Sequence, residues 1–307
     1  MHLLSIEDYS RNDLNSILEE SRRLKSMAAG QQPALATKLL ATLFFQASTR
    51  TRFSFEAAMH RLGGSVLSFS PEGTRAGQGW NESLGDTARV MNGYADAIVM
   101  RHPEVGSLRE YASYSTIPVI NGGNGIGPGS EHPTQAILDL YTIYDAFGTI
   151  SGLRMLMIGN MQLRGARSLL KALAKYDDVT VFVVCPDDGW LDNSVSDCCA
   201  GAGLPVTRVG AIEEVVDQVE VVYHHGLSED PNTPVPEAVL LTPAKLRRLP
   251  QDAILLHALP RSRELPFAID AVPQARYFPQ AANGVYTRMA ILQRTLAGAD
   301  GPPTPDF

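Results

Sequence analysis

Short, almost unbroken apolar runs recur along this chain, at residues 41–45, 65–69, 97–100, 118–121, 154–159, 179–184, 219–223 and 253–257. Runs of this length without strict alternation are what parallel strands covered on both faces require. Between them lie helical patterns. Residues 132–147 place Ala136, Ile137, Leu140, Ile143, Tyr144 and Phe147 on one stripe, with Pro133 suited to the first turn. Residues 83–94 and 167–176 read similarly, as does a final helix at 285–296 carrying Val285, Met289, Leu292 and Leu296. Strand alternating with helix implies an α/β fold of two doubly wound domains, each a central parallel sheet flanked by helices.

The turn cluster Gly148-Thr149-Ile150-Ser151-Gly152 lies at mid-chain and leaves four expected strands on either side. It sets the expected boundary, with residues 1–148 in the first domain and 149–284 in the second. Helix 285–297 is expected to pack back on the first domain, and residues 298–307, rich in Gly, Pro and Asp, to fray. A chain of 307 residues is long enough for two such cores.

Composition narrows function by exclusion. A formal net charge of −7 argues against broad nucleic-acid binding, although a local arginine cluster can still hold an anion. No stretch approaches the ~18 consecutive apolar residues of a membrane helix, and no signal-peptide pattern opens the chain, so no membrane partner is expected. Cys185, Cys198 and Cys199 form no Cys-x-x-Cys pair, in keeping with a reducing cytoplasm. Ile158-Gly159-Asn160-Met161-Gln162-Leu163 does not fit a dinucleotide fingerprint, and neither a P-loop nor a nucleophile elbow occurs. No cofactor is expected.

The most informative segment is Phe44-Phe45-Gln46-Ala47-Ser48-Thr49-Arg50-Thr51-Arg52. A buried strand ends, a Ser/Thr-rich turn follows, and a helix is expected to begin near Thr51 or Arg52. Such a start offers free backbone N–H groups and the positive end of the helix dipole. Ser48, Thr49 and Thr51 add hydroxyls, and Arg50 adds a forked cation. Everything here suits a phosphate. The same residues also read as an ordinary helix cap with two solvated arginines. Two further segments bear on that choice. Arg101 follows the run at 97–100, and a glycine-rich loop from Asn121 delivers His132 and Gln135 to the start of another helix. Both lie at carboxyl ends of strands, where open α/β sheets bind ligands.

Ser48-Thr49-Arg50-Thr51-Arg52, Met100-Arg101-His102-Pro103, His132-Pro133-Thr134-Gln135 and His257-Ala258-Leu259-Pro260-Arg261 resemble the signature segments of the aspartate/ornithine carbamoyltransferase family. The resemblance runs from about residue 37 to 296, and residues 43–63 and 278–284 look more like the aspartate branch. It implies that Ser48, Thr49, Arg50 and Thr51 hold the phosphate of carbamoyl phosphate. Arg101, His132 and Gln135 contact its carbamoyl group, with the main chain at Leu259 orienting the carbamoyl nitrogen and Leu259–Pro260 expected to be cis. Arg50, Thr51, Arg101 and His132 form the implied catalytic set, stabilising the oxyanion of the tetrahedral intermediate. Arg164 looks like the arginine that grips the amino acid's α-carboxylate. The family also implies a homotrimer with shared active sites, and no metal.

Two departures stand out. After the run at 219–223 the aspartate branch presents Arg-x-Gln for the side-chain carboxylate of aspartate. Here the segment is His224-His225-Gly226-Leu227-Ser228-Glu229-Asp230, with Gly226 and Ser228 at those two positions. His224, His225 and Ser228 become the expected amine-side contacts, although both histidines also read as strand-end residues bonded to backbone. The second departure lies before Ser83, where the branch donates a lysine to the neighbouring subunit. Trp80 aligns with it and Arg75 lies five residues earlier. Carbamoyltransferases acting on acylated ornithines use a tryptophan in this region.

The expected activity is therefore carbamoyl transfer to an amino acid other than aspartate, with Glu229 and Asp230 hinting at a diamino acid. A genuine aspartate carbamoyltransferase using another cation, such as Arg261 or Arg263, is the alternative within the class. A non-catalytic carbamoyl-phosphate-binding homologue, or an assembly partner for an active subunit, is the alternative outside it.

Overall fold

The structure, a computed structural model, describes residues 2–27, 33–69, 82–228 and 234–297. Arg75, Trp80, Glu229, Asp230 and the tail at 298–307 lie outside the described residues. The chain divides into two compact units, residues up to Leu138 with those from Asn283 onward, and Asp139–Ala282.

In the first unit, β1 (Leu39–Phe44), β2 (Ser65–Ser68), β3 (Ala97–His102) and β4 (Val119–Asn124) form a parallel sheet in the order β2-β1-β3-β4. Helices α1 (Arg11–Ser26), α2 (Thr49–Arg61), α3 (Leu84–Asn92) and α4 (Ser107–Tyr114) belong to it. In the second unit, β5 (Arg154–Ile158), β6 (Thr180–Val184), β7 (Val206–Arg208), β8 (Val221–His224) and β9 (Ile254–His257) run in the parallel order β7-β6-β5-β8-β9. Helices α6 (Arg164–Leu173) and α7 (Asn193–Gly201) belong to the second unit. The seams of these compact units fall inside α5 (Pro133–Phe147) and α8 (Tyr277–Ala297).

The expected four strands in the second half become five. The extra one, β7, is a three-residue edge strand whose side chains are exposed or half-buried, so it has no apolar run to betray it. Helix α2 starts at Thr49, two residues before the expected Thr51, and α8 starts at Tyr277, eight before Val285. Strand β3 runs two residues past its apolar core and so contains Arg101 and His102.

Both sheets change direction once. In the first, the chain leaves β1 for β2 on one side and returns to β3 on the other. In the second, it leaves β5 for β6 and β7 and returns to β8 on the opposite side. Loops diverge at such a switch point and open a crevice at the carboxyl ends of the two strands. The cores beneath are apolar: Ala41, Leu43, Ile98 and Met100 pack in the first unit, and Leu156, Ile158, Val222 and Leu255 in the second. Within the first unit α8 is fastened to α1, where Lys25 Nζ donates to Asn283 Oδ1 at 2.9 Å and Arg294 pairs with Asp13. No described helix is long and apolar enough to cross a membrane.

Candidate active site

The carboxyl ends of β1 and β3 define the first candidate site. The register pairs Phe44 with Arg101, and Phe45 N–H donates to Arg101 O at 2.9 Å, so the turn after β1 and the end of β3 are locked side by side. The half-buried Arg101 guanidinium leans toward the β1 turn, Nε donating to Gln46 Oε1 at 3.2 Å. Gln46 was not among the residues expected to matter. Only its place in the β1 turn, opposite a strand-end arginine, signals it.

Ser48 holds the N-cap position of α2 in an extended conformation, but its hydroxyl makes no capping bond. Elsewhere the chain caps normally: Ser10 Oγ accepts from Asp13 N–H at 3.2 Å, and Ser83 Oγ from Asp86 N–H at 3.0 Å. The Ser48 side chain thus gives no cap to the first turn of α2, the positive end of the helix. The two arginines of the segment part company. Arg52 is bound to Glu56 at 2.9 Å and to Ser68, in a cluster that also takes in Thr42. Arg50, in the first turn, is exposed.

His132 arrives from the adjacent strand β4. The loop that delivers it is closed by a bridge in which Asn124 N–H donates to Glu131 O at 2.9 Å and Glu131 N–H to Asn124 O at 3.2 Å. The Glu131 carboxylate is buried and held by Ser5 Oγ at 2.8 Å and by Ile6 N–H at 3.0 Å. Ser5 and Glu131 escaped the sequence reading because 126 residues separate them. The buried His132 ring lies between two hydroxyls, Nε2 at 3.3 Å from Thr51 Oγ1 and Nδ1 at 3.4 Å from Thr134 Oγ1. Gln135 follows, half-buried, in the first turn of α5. Ser48, Thr49, Arg50, Thr51, Arg101, His132 and Gln135 therefore come from the carboxyl ends of three neighbouring strands. Hydroxyls, backbone N–H groups, two guanidiniums and an imidazole are donor types suited to an anion or a developing oxyanion.

The second candidate site lies at the carboxyl ends of β5 and β8. Gly159 and Asn160 follow β5, and Asn160 clamps the turn after β8: its N–H donates to Gly226 O at 2.9 Å and its Nδ2 to Leu227 O at 3.3 Å. Arg164, half-buried, is the first residue of α6 from the same loop. Gly226 has φ +82, a left-handed backbone that favours glycine. Ser228 is exposed.

The two histidines before Gly226 differ sharply. His224 is fully buried, and Gly226 N–H donates to its Nδ1 at 3.0 Å, so the proton sits on Nε2 and donates to Val239 O at 3.0 Å. Both nitrogens serve the backbone, and burial pushes the pKa down. His224 is therefore a strand-end tie and not the amine contact expected of it. His225, also buried, stacks on Tyr223 with ring centroids 3.9 Å apart, and neither of its nitrogens has a hydrogen-bond partner among the described residues.

Strand β9 ends in the turn carrying Leu259, which has φ 49 and a cis bond to Pro260. Leu259 N–H donates to His257 Nδ1 at 2.8 Å, and His257 Nε2–H donates to Glu264 Oε1 at 3.2 Å. Ser262 N–H reaches the same oxygen at 2.8 Å. Burial acts to raise the Glu264 pKa, but the His257 and Ser262 hydrogen bonds outweigh it and hold the carboxyl down at about 2. A pKa depressed from 4.5 adds stability that is present above the unfolded value and lost as pH falls toward about 2. Glu264→Gln is thus expected to destabilise the protein at pH 7 in urea titrations, with the gap to the parent narrowing as the buffer falls below about pH 4.5. Below this turn, Gln280 Oε1 accepts from His257 N–H at 3.0 Å while its Nε2 donates to Asp139 Oδ1 at 2.7 Å. Tyr223 O–H closes the network onto Asp139 Oδ2 at 2.9 Å.

Arg261, a candidate replacement for the absent cation, is already committed. It pairs with both oxygens of Asp270, at 2.6 and 3.0 Å, and lies 4.5 Å from the Phe267 ring centroid. Among the described residues no group of three or more His, Cys, Asp and Glu side chains is arranged to hold a metal ion.

Comparison with known proteins finds a family match along almost the whole chain. Residues 1–145 match the carbamoyl-P binding domain of aspartate/ornithine carbamoyltransferase, and residues 151–295 match its Asp/Orn binding domain. Among solved structures, aspartate transcarbamoylase from Trypanosoma cruzi in complex with carbamoyl aspartate and phosphate is 34% identical. The match covers 96% of this chain and 95% of that one, with a TM-score of 0.88. The complex of the same enzyme with carbamoyl phosphate and aspartate is 34% identical over 96% of each chain, at a TM-score of 0.87. Its ligand-free form, 34% identical over 96% of each chain, gives 0.84.

Proposed function

Because the chain belongs to the aspartate/ornithine carbamoyltransferase family, we propose that it carries the carbamoyl group of carbamoyl phosphate to the amine of an amino acid other than aspartate. In this reading Ser48, Thr49, Arg50 and Thr51 receive the phosphate at the first turn of α2. Arg101, His132 and Gln135 receive the carbamoyl group. The unprotonated amine attacks the carbonyl carbon, the C–N bond forms, and a tetrahedral oxyanion develops against Arg50, Thr51, Arg101 and His132. The C–O bond to phosphate then breaks, and the departing phosphate takes the amine's proton. Arg164 holds the α-carboxylate of the acceptor. The assembly is the family's homotrimer, with active sites shared between subunits.

One observation carries the acceptor half of the proposal. The residue at the position of the aspartate branch's arginine is Gly226, in a left-handed turn with φ +82 whose carbonyl is held by Asn160. Among the described residues of the β8 end, 221–228, there is no lysine or arginine to meet a second carboxylate. The test is to incubate the protein with carbamoyl phosphate and a mixture of aspartate, asparagine, ornithine and 2,3-diaminopropionate, and to identify carbamoylated products by mass. A carbamoylated amino acid without a side-chain carboxylate is the expected main product. Carbamoyl aspartate as the main product would overturn the reading.

A further inference from the structure

The geometry points to His225 as the residue that reads the acceptor's side chain, and to an acceptor whose side chain ends in nitrogen. This inference rests on the reading of Gly226 and Ser228 given above, because it places His225 beside the position where the family reads that side chain.

The argument starts from an unmade pair of hydrogen bonds. His225 is only 6% exposed, and both ring nitrogens are buried with no hydrogen-bond partner among the described residues. Its neighbour His224, equally buried, has both nitrogens satisfied. Buried polar atoms in folded proteins almost always find partners, and each one left unmade carries its full desolvation cost. A ring held that way is open to a group that the described residues do not supply.

The ring cannot turn away to solve the problem. It is stacked on Tyr223 at an interplanar angle of 25°, and Tyr223 is pinned through its hydroxyl to Asp139 and Gln280. The His225 main chain is fixed as well, its N–H donating to Ile158 O at 2.9 Å. The ring is thus preorganised at the switch point of the second sheet, one residue before Gly226.

Its chemistry selects the ligand. Burial keeps this imidazole neutral, so it offers one lone pair and one N–H. The two nitrogens face in different directions, so one ligand group meets only one of them. A carboxylate could take only the N–H, and its charge would then be buried against a neutral ring with no cation beside it; protonating the ring to supply one works against burial. An N–H of an amide or amine satisfies the lone pair directly. Aspartate fails this test, whereas asparagine and 2,3-diaminopropionate pass it.

The experiment compares the parent protein with His225→Leu and His225→Gln. It reads kcat/KM for aspartate, asparagine and 2,3-diaminopropionate, KM for carbamoyl phosphate, and Tm. The parent is expected to prefer a nitrogen-ending acceptor. His225→Leu is expected to lose on the order of 10- to 100-fold in kcat/KM for that acceptor while KM for carbamoyl phosphate holds. His225→Gln, which keeps a donor and an acceptor, is expected to recover part of the loss, and serves as the comparison if the leucine variant does not fold. A parent that prefers a nitrogen-ending acceptor, with variants that keep the same preference, overturns the role of His225 and leaves the proposed function standing. A parent that prefers aspartate overturns both.

Discussion

Replacing Arg101 by alanine is expected to lower kcat for carbamoyl transfer by about 10²–10³-fold, measured as phosphate release at saturating acceptor. The size follows from where the guanidinium sits. It ends β3 at the switch point of the first sheet, beside the uncapped first turn of α2 and the Thr51–His132 pair. An oxyanion forming there gains most from a donor already in place, since no reorganisation is needed as charge develops. Arg101→Lys is expected to recover only part of the rate, because an ammonium lacks the forked geometry. The fold is expected to survive both changes. Strand β3 is held by backbone pairing to β1 and β4, and the bond from Phe45 N–H to Arg101 O uses the main chain alone. A matching loss of Tm would mean that Arg101 supports the sheet and not the chemistry.

The second large effect is expected at Gly159→Ala, and there it falls on stability. Gly159 has φ +107, and a Cβ at this residue would lie 2.2 Å from Gly226 O. That oxygen is backbone and is already held by Asn160 N–H at 2.9 Å, so it has little room to move. A left-handed non-glycine residue costs about 1–2 kcal/mol, and overpacking adds about 1–3 kcal/mol. Urea unfolding is expected to show a loss on the order of 3 kcal/mol. Any variant that remains folded is expected to lose acceptor binding before carbamoyl-phosphate binding, because the clamp shapes the β8 turn in the second unit only. Carbamoyl-phosphate and acceptor KM values, measured separately, check that order.

The fold was largely legible because parallel strands announce themselves. Apolar runs such as 97–100 and 253–257 became the cores of β3 and β9. The sequence was silent where elements are short. Strand β7 is a short edge strand, and α4 is a brief helix entered through Gly106 at φ +87. The position of Arg101 and His132 at the strand ends was readable from spacing. Their fixings were not, since Gln46 and the Ser5–Glu131 clasp are made across long stretches of chain. The second unit shows the same limit. Adjacent histidines look alike in a sequence, and only three-dimensional bonding separates a backbone tie at His224 from a His225 ring with no hydrogen-bond partner among the described residues. Gly159-Asn160 read as a failed dinucleotide motif, yet it is the clamp that sets the turn at Gly226.

The central claim is that this carbamoyltransferase works on an acceptor without aspartate's second carboxylate. The most direct test is the ratio of kcat/KM for 2,3-diaminopropionate or asparagine to that for aspartate, at saturating carbamoyl phosphate. We expect the ratio to exceed one, because the β8 end presents Gly226, Ser228 and a neutral His225 where a cation is needed. A ratio far below one would contradict the account and would mean that a cation from elsewhere meets the side-chain carboxylate.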